Sequence, residues 1–357
     1  MSGHIFLTGF PGFIGGRLLA ALAERNSARR FSLLVERRLH TMAEQKLAQM
    51  GLHDRCELLT GDLVEPDAGI EHAAERLGEV TEVWHLAAIY DLAVARELAH
   101  RVNVQGTRNL LDLCEKLPQL QRLVLFSTCY VAGDRTGLVR EEELDAGQGF
   151  KNHYESTKFE SEVLVRGRME TIPATVFRPS IVVGDSKTGE TDKYDGPYYF
   201  IRLLMRRHLG PLTPMIGPGT ATINIVPVDF VVDAAVTIAE QAESVNTTFQ
   251  LADPRPLTIR EMFAAMCAEL GLPTPKWSLP VGAARALERF RPVRKWLGVP
   301  KEALDYLEHP VTFDTNNTER LLQGTGVTCP QVPSYLGTLI QYVRAHPEKP
   351  FLDEREL

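Results

Sequence analysis

Tyr154 and Lys158 are the residues of this chain whose types and spacing most directly suggest chemistry. In Tyr154-Glu155-Ser156-Thr157-Lys158 a phenol and an ammonium lie four residues apart, on one face of a helix and one turn from each other. An ammonium beside a phenol favours the phenolate, so the spacing predicts a lowered tyrosine pKa and a proton donor or acceptor near neutral pH. Tyr and Lys at this distance are also common on solvated helix faces. Two companions give the pair weight: Thr128 upstream, and the glycine-rich stretch Thr8-Gly9-Phe10-Pro11-Gly12-Phe13-Ile14-Gly15 near the start.

The elements that must position these residues alternate. An apolar run at 4–7 leads into the glycine-rich stretch, Leu18, Leu19 and Leu22 follow at helical spacing, and a second apolar run occupies 31–35. This strand–turn–helix–strand unit has the length a right-handed crossover needs. Further strand-like runs lie at 56–59, 80–86, 122–127 and 174–177, with helical stretches at 102–116 and 154–166 between them. Such alternation predicts an α/β fold, a doubly wound parallel sheet of Rossmann type with ligand at the carboxyl ends of the strands. Later runs at 222–229 and 249–253 read as strands, and 230–241 as a helix returning to the sheet.

In that setting the glycines acquire a role. Gly9 permits a tight turn, Gly12 lets backbone approach a pyrophosphate, and Gly15 lets the helix pack close to the strand, with the phosphates on the helix amino terminus. Glu36, Arg37 and Arg38 follow the second strand, where the adenosine ribose would lie. An acid there favours NAD and an arginine favours the 2′-phosphate of NADP, and both types are present. Asp62, in Gly61-Asp62-Leu63, offers a carboxylate to an adenine amine or a simple loop cap. Ala87 and Ala88, after His85, leave room for a ribose or serve as packing.

Composition narrows the class. Forty-four per cent hydrophobic and 24% charged residues suit a soluble globular enzyme, and 39 basic against 46 acidic residues give a net charge of −7, which argues against nucleic acid as a partner. Five scattered cysteines without a Cys-x-x-Cys read as reduced thiols, and His85, His153 and His208 share no metal-ligand spacing, so no metal is expected. Met1 leads directly into a strand with no signal peptide, and no apolar run approaches the roughly 20 residues of a membrane span, so a cytoplasmic protein without a transmembrane segment is expected.

Taken together the residues resemble the extended short-chain dehydrogenase/reductase family. The resemblance is carried by Thr8-Gly-x-x-Gly-x-x-Gly15, Gly61-Asp62-Leu63, His85-Leu-Ala-Ala88, Asn103-Val-x-Gly-Thr107, Ser127-Thr128, Tyr154-x-x-x-Lys158 and Arg178-Pro179-Ser180, in order over about the first 185 residues. It implies Tyr154 as the acid/base, Lys158 as its pKa partner and ribose binder, and Thr128 as a hydrogen-bond donor to the substrate carbonyl. Pro179, Ser180 and Ile181 would flank the nicotinamide, and Asn103 would support the active-site helix. It also implies a dinucleotide-binding domain over 1–185 and 221–250, a smaller, mainly C-terminal substrate-binding cap over 186–220 and 251–357, and a dimer face on the helix bearing Tyr154.

Within the family, Cys129-Tyr130 stands where sugar-nucleotide dehydratases carry an acidic pair, and Phe177-Arg178-Pro179-Ser180-Ile181 replaces the Asn and Gly-Pro stretch of their relatives. The chain looks more like the fatty acyl-CoA reductase and thioester reductase (male-sterility) group. Reductases of that group often have an arginine where Glu36 stands; NADP is still expected through Arg37 and Arg38, with NAD open. The implied substrate is an apolar carbonyl or an acyl thioester, delivered on coenzyme A or a carrier-protein arm. A sugar-nucleotide epimerase holding NAD tightly, a hydroxysteroid-type dehydrogenase and a non-enzymatic scaffold stay open as alternatives. Tyr194, Tyr198, Tyr199 and Phe200 form an aromatic group that could line an apolar pocket, with core or crevice packing expected for two or three of them. Two basic stretches, Arg202, Arg206, Arg207 with His208, and Arg285, Arg289, Arg291, Arg294 with Lys295 around Phe290 and Trp296, could attract phosphates, meet a membrane surface or serve as solvated faces.

Overall fold

The structure is a computed structural model that describes residues 3–91, 93–205, 214–287 and 304–351. Its frame consists of β1 (His4–Thr8), α1 (Phe13–Arg25), β2 (Arg30–Val35), α2 (His40–Met50), β3 (Cys56–Thr60), β4 (Glu82–His85), α3 (Gly106–Cys114), β5 (Arg122–Phe126), α4 (His153–Arg166), β6 (Ala174–Pro179), α5 (Val228–Ala239) and β7 (Thr247–Leu251). The seven strands form one parallel sheet in the order β7-β6-β5-β4-β1-β2-β3. Helices cover both faces, which is why the strands read as unbroken apolar runs. Successive residues of β1 feed opposite cores: Ile5 and Leu7 pack with Leu18 and Leu22 of α1 and Val231 of α5, while Phe6 packs with Leu110 and Leu111 of α3. Strand order reverses between β1 and β4, and the crevice at their carboxyl ends is the switch point where such sheets bind ligands.

Residues 222–229 depart from the single strand expected of them. Thr222–Ile223 pairs antiparallel with Leu257–Thr258, Ile225–Pro227 pairs parallel with Ile181–Val183, and α5 already begins at Val228. Asn224 makes the break, because its side chain exchanges two hydrogen bonds, of 2.8 and 2.9 Å, with the backbone of Asp253. Pro227, lacking an N–H, is then well placed as the residue before a helix.

A second core lies against this frame. Tyr194, Tyr198, Tyr199 and Phe200 are all buried there with Met262, Phe263 and Leu336, so all four belong to this core. Arg202 of the first basic stretch lies over the rings of Tyr199 and Phe351, at 5.7 and 3.6 Å, and Arg285 of the second pairs with Asp305. Arg206, Arg207, His208, Arg289, Phe290, Arg291, Arg294, Lys295 and Trp296 lie outside the described residues. Among the described residues no helix is long and apolar enough to cross a membrane.

Candidate active site

The glycine-rich stretch wraps the start of α1. Gly9 has φ +94°, a left-handed conformation that disfavours any side chain, and its carbonyl accepts from the Gly12 N–H at 3.0 Å. A Cβ on Gly15 would sit 2.5 Å from the Gly9 oxygen, and one on Gly12 would sit 2.8 Å from it. Only glycine closes this turn, and the closure leaves unpaired N–H groups of the α1 amino terminus available to an anion. Phe10 and Pro11 are buried, so they offer backbone to a ligand; Phe13 and Ile14 are half-buried. Lys46 of α2 donates to the Pro11 carbonyl at 2.9 Å and secures the turn from outside.

The remaining cofactor candidates surround this turn unevenly. Glu36, Arg37 and Arg38 are exposed at the end of β2, with Arg38 bonded to the Glu36 carboxylate at 2.5 Å. Asp62 caps its own loop by accepting from the Val64 N–H at 3.1 Å, and Leu63 is core. The Ala87 N–H donates to the Thr8 hydroxyl at 3.2 Å; Ala87 and Ala88 are half-buried. Ser180 is buried after β6, and its hydroxyl has no hydrogen-bond partner among the described residues. An orphaned buried hydroxyl is costly unless something completes it, which fits a polar ligand beside Pro179 and Ile181.

A buried polar chain ties the glycine turn to α4. The Thr8 hydroxyl meets His85 Nδ1 at 2.8 Å, and His85 Nε2 meets the Thr107 hydroxyl at 3.0 Å. Thr107 in turn donates to the Asn103 carbonyl at 2.6 Å. Asn103 lies in a π-helical turn, His100–Gln105, and its amide donates to Thr157 of α4 at 3.0 Å, while Ser161 of α4 donates to its carbonyl at 2.6 Å. Burial, aided by the Lys158 charge, lowers His85 to about 3 and keeps the ring neutral. His85 is thus a structural connector, and Asn103 braces the helix that carries Tyr154.

Thr128, Tyr154 and Lys158 come together at the carboxyl ends of β5 and β6. Thr128 follows β5, accepts from the Tyr130 N–H at 3.3 Å and donates to the Pro179 carbonyl at 3.4 Å. The Tyr154 phenol lies within electrostatic reach of this hydroxyl, which draws its pKa down. Lys158 is buried, and its ammonium donates to the Phe126 carbonyl at 2.7 Å. The lowered phenol pKa predicted from the four-residue spacing does not arise. Burial pushes the Tyr154 phenol up, and the Thr128 hydroxyl opposes this without overcoming it. Lys158 itself is lowered to about 8, by burial first, against the attraction of Glu162.

Several neighbours carry no sequence signal. Tyr90 stands edge-on to Tyr154, with centroids 5.0 Å apart, under the Lys193 ammonium at 4.8 Å from its ring. Asp195, 3.9 Å from that ammonium, is raised to about 6 by burial. Glu155, next to Tyr154, is fully buried and accepts from Tyr306, 151 residues away. Each of these contacts joins loops that neither periodicity nor a local motif connects.

A parallel sheet with a tight glycine turn at its switch point, and Thr128, Tyr154 and Lys158 at the ends of the neighbouring elements, defines an extended short-chain dehydrogenase/reductase with an NAD(P)-binding domain. The family profile described as male sterility protein matches residues 7–235, and the chain belongs to that family. It is 26% identical over 277 residues to the fatty acyl-CoA reductase wat of Drosophila melanogaster, covering 66% of this chain and 53% of that protein. It is 27% identical over 281 residues to the L-2-aminoadipate reductase large subunit of Penicillium chrysogenum, covering 70% of this chain and 19% of that one. The chain therefore spans about half the length of the fatty acyl-CoA reductases it matches. Among solved structures it is similar to the terminal R domain from the myxalamid PKS-NRPS biosynthetic pathway, with TM-score 0.83, 25% identity and coverage of 97% of this chain and 91% of that one. UDP-glucuronic acid 4-epimerase from Bacillus cereus shares the fold at TM-score 0.69 and 19% identity, over 96% of this chain and 99% of that one.

Proposed function

We propose that the protein reduces an apolar carbonyl or an acyl thioester, with Tyr154 as proton donor, Thr128 as hydrogen-bond donor to the carbonyl oxygen and Lys158 as ribose binder. The observation that carries this reading is the Tyr154 phenol within electrostatic reach of the Thr128 hydroxyl, one helical turn from the buried Lys158, at the end of the sheet where Ser180 presents a buried hydroxyl with no partner among the described residues. The N–H groups around Gly12 and Gly15 would hold the pyrophosphate, and the Ser180 hydroxyl the nicotinamide amide. Bound there, a reduced nicotinamide supplies the hydride. Tyr154 and Thr128 then hold the acceptor oxygen, and Tyr154 gives it a proton. With a thioester the carbonyl carbon gains hydride, its oxygen gains that proton, and collapse expels the thiol to leave an aldehyde. The relatives named as acyl-CoA and aminoadipate reductases favour this class over sugar nucleotides, and the apolar core over 186–220 and 251–357 would form the substrate cap. Coenzyme A or a carrier-protein arm would deliver the acyl group.

For the cofactor we infer NADP. Arg38 engages the Glu36 carboxylate, the acid that would otherwise select a free ribose hydroxyl, and Arg37 stands exposed beside it. Absorbance of NADPH and NADH is followed with acyl-CoAs, aldehydes, ketosteroids and UDP-sugars. NADPH is consumed with an apolar member of this panel, and no UDP-sugar is turned over. Replacing Arg37 and Arg38 by Ala lowers kcat/KM for NADPH about 10- to 100-fold, the worth of a lost charged hydrogen bond, and spares NADH. Activity with NADH alone would assign the ribose to Glu36. Release of a stoichiometric, unconsumed NAD would point to the epimerase.

The low Lys158 pKa sets an alkaline limit. The ammonium is the form that binds ribose and supports the phenol, so kcat/KM falls above about pH 8. Stability moves the other way. The unfolded lysine keeps its proton to its ordinary value of 10.5, so between about 8 and 10.5 the unfolded state binds more protons and this residue's contribution to folding rises with pH. Lys158→Met removes that rise from the pH dependence of urea unfolding. A wild-type kcat/KM flat to pH 10 would contradict the assignment.

A further inference from the structure

We propose that Tyr306 is a positioning residue for Tyr154, locking the first turn of α4 to the turn that bears Thr128; this rests on the proton-donor role given to Tyr154 above. Its hydroxyl lies between two residues at the start of α4. It donates to Glu155 Oε1 at 2.5 Å and accepts from the Asn152 amide at 2.8 Å. Asn152 is the residue that caps α4, its side-chain oxygen accepting from the Glu155 N–H at 3.0 Å. Glu155 Oε2 accepts from the Lys151 N–H at 2.9 Å, so the carboxylate is held from both sides of the chain. The Tyr306 ring meets Tyr130 edge-on, with centroids 5.1 Å apart, and Tyr130 is two residues beyond Thr128. The Lys151 ammonium lies 5.2 Å from the Tyr306 ring centroid and donates to the Gly133 carbonyl at 2.6 Å, closing the same assembly.

One side chain from the C-terminal part of the chain therefore touches both segments whose separation sets the distance between the phenol and the Thr128 hydroxyl. Glu155 is fully buried; Lys151, Asp305 and Tyr306 act on it, and its own charge raises the Tyr154 and Tyr130 phenols. Burial raises its carboxyl, and Lys151 and the Tyr306 hydroxyl draw it back down. Loss of the Tyr306 hydroxyl removes one of these supports, so Glu155 takes up a proton at higher pH.

Tyr306→Phe keeps the ring against Tyr130 and Lys151 and deletes only the bridging oxygen. The variant is expected to lose about tenfold in kcat, within the ~10²-fold that a misplacement of about 1 Å can cost. KM for NADPH stays within about twofold, since the glycine turn is untouched. The acid limb of the kcat profile moves to higher pH, which a space-filling role would not cause. Asn152→Ser, which keeps a helix cap but lacks the amide donor, shifts kcat in the same direction and serves if the phenylalanine variant does not fold. Amide hydrogen exchange of 128–133 and 153–158 in the protein without substrate gives a readout independent of turnover, and both segments exchange faster in Tyr306→Phe. Unchanged exchange and an unchanged pH profile overturn the proposal even if carbonyl reduction is confirmed. Faster exchange in a protein that reduces no carbonyl supports the lock and removes only the reaction assigned above.

Discussion

Tyr154→Phe is expected to lower kcat by about 10²–10⁴-fold, the usual worth of a well-placed acid or base, and to leave NADPH binding nearly intact. The ring survives the substitution, so its edge-on contact with Tyr90 and the helix around it persist. What is lost is the transferable proton and the phenol oxygen beside Thr128. The direction of the phenol's shift gives this result more content. A phenol held above its ordinary value is protonated at neutral pH, which is the starting state for donating a proton during reduction; oxidation would need the phenolate first. Steady-state kinetics with a short-chain acyl-CoA or aldehyde, paired with fluorescence titration of NADPH, separates the two effects. A kcat within threefold of wild type would move the proton donor elsewhere in the site.

The frame of the molecule was legible because its information is local. β1, the glycine turn and α1 follow from an apolar run, three glycines and a helical leucine pattern, and the same logic places β2 to β7. Tyr154 and Lys158 could be paired because four residues make one helical turn, and Thr128 joined them through the family resemblance. The failures share a different cause. The phenol pKa depended on burial, which a four-residue spacing does not report. The strand expected at 222–229 was broken by a side chain, Asn224, that satisfies the backbone of Asp253. Core packing, expected for two or three of the aromatic residues at 194–200, extends to all four, with Phe263 5.2 Å from Phe200. Tyr306 and Glu155 are far apart in sequence, and no periodicity links a loop tyrosine to a helix carboxylate.

The largest effect on stability is expected from Arg178, which holds α4 to the strand that ends at Pro179. Arg178 and Glu162 are essentially inaccessible, at 1% and 0% side-chain exposure, with the closest contact at 2.6 Å. Ser127 donates to the same carboxylate at 2.6 Å and Arg166 at 3.0 Å, while Arg178 also donates to the Glu143 carbonyl at 2.8 Å. Burial alone would raise the Glu162 carboxyl; the two arginines and the serine more than offset it and hold the group below its ordinary value. Arg178→Met strips that support and leaves a buried carboxylate, so about 3–5 kcal/mol of stability is lost. Glu162→Met alone strands the arginine at similar cost. The double replacement is milder than the sum of the two, because a buried pair exchanged for apolar side chains leaves no orphaned charge. Urea midpoints of the four proteins measure the coupling. Additive losses would mean that Arg178 acts through Glu143 and the loop before α4, with Glu162 satisfied by Ser127 and Arg166 alone.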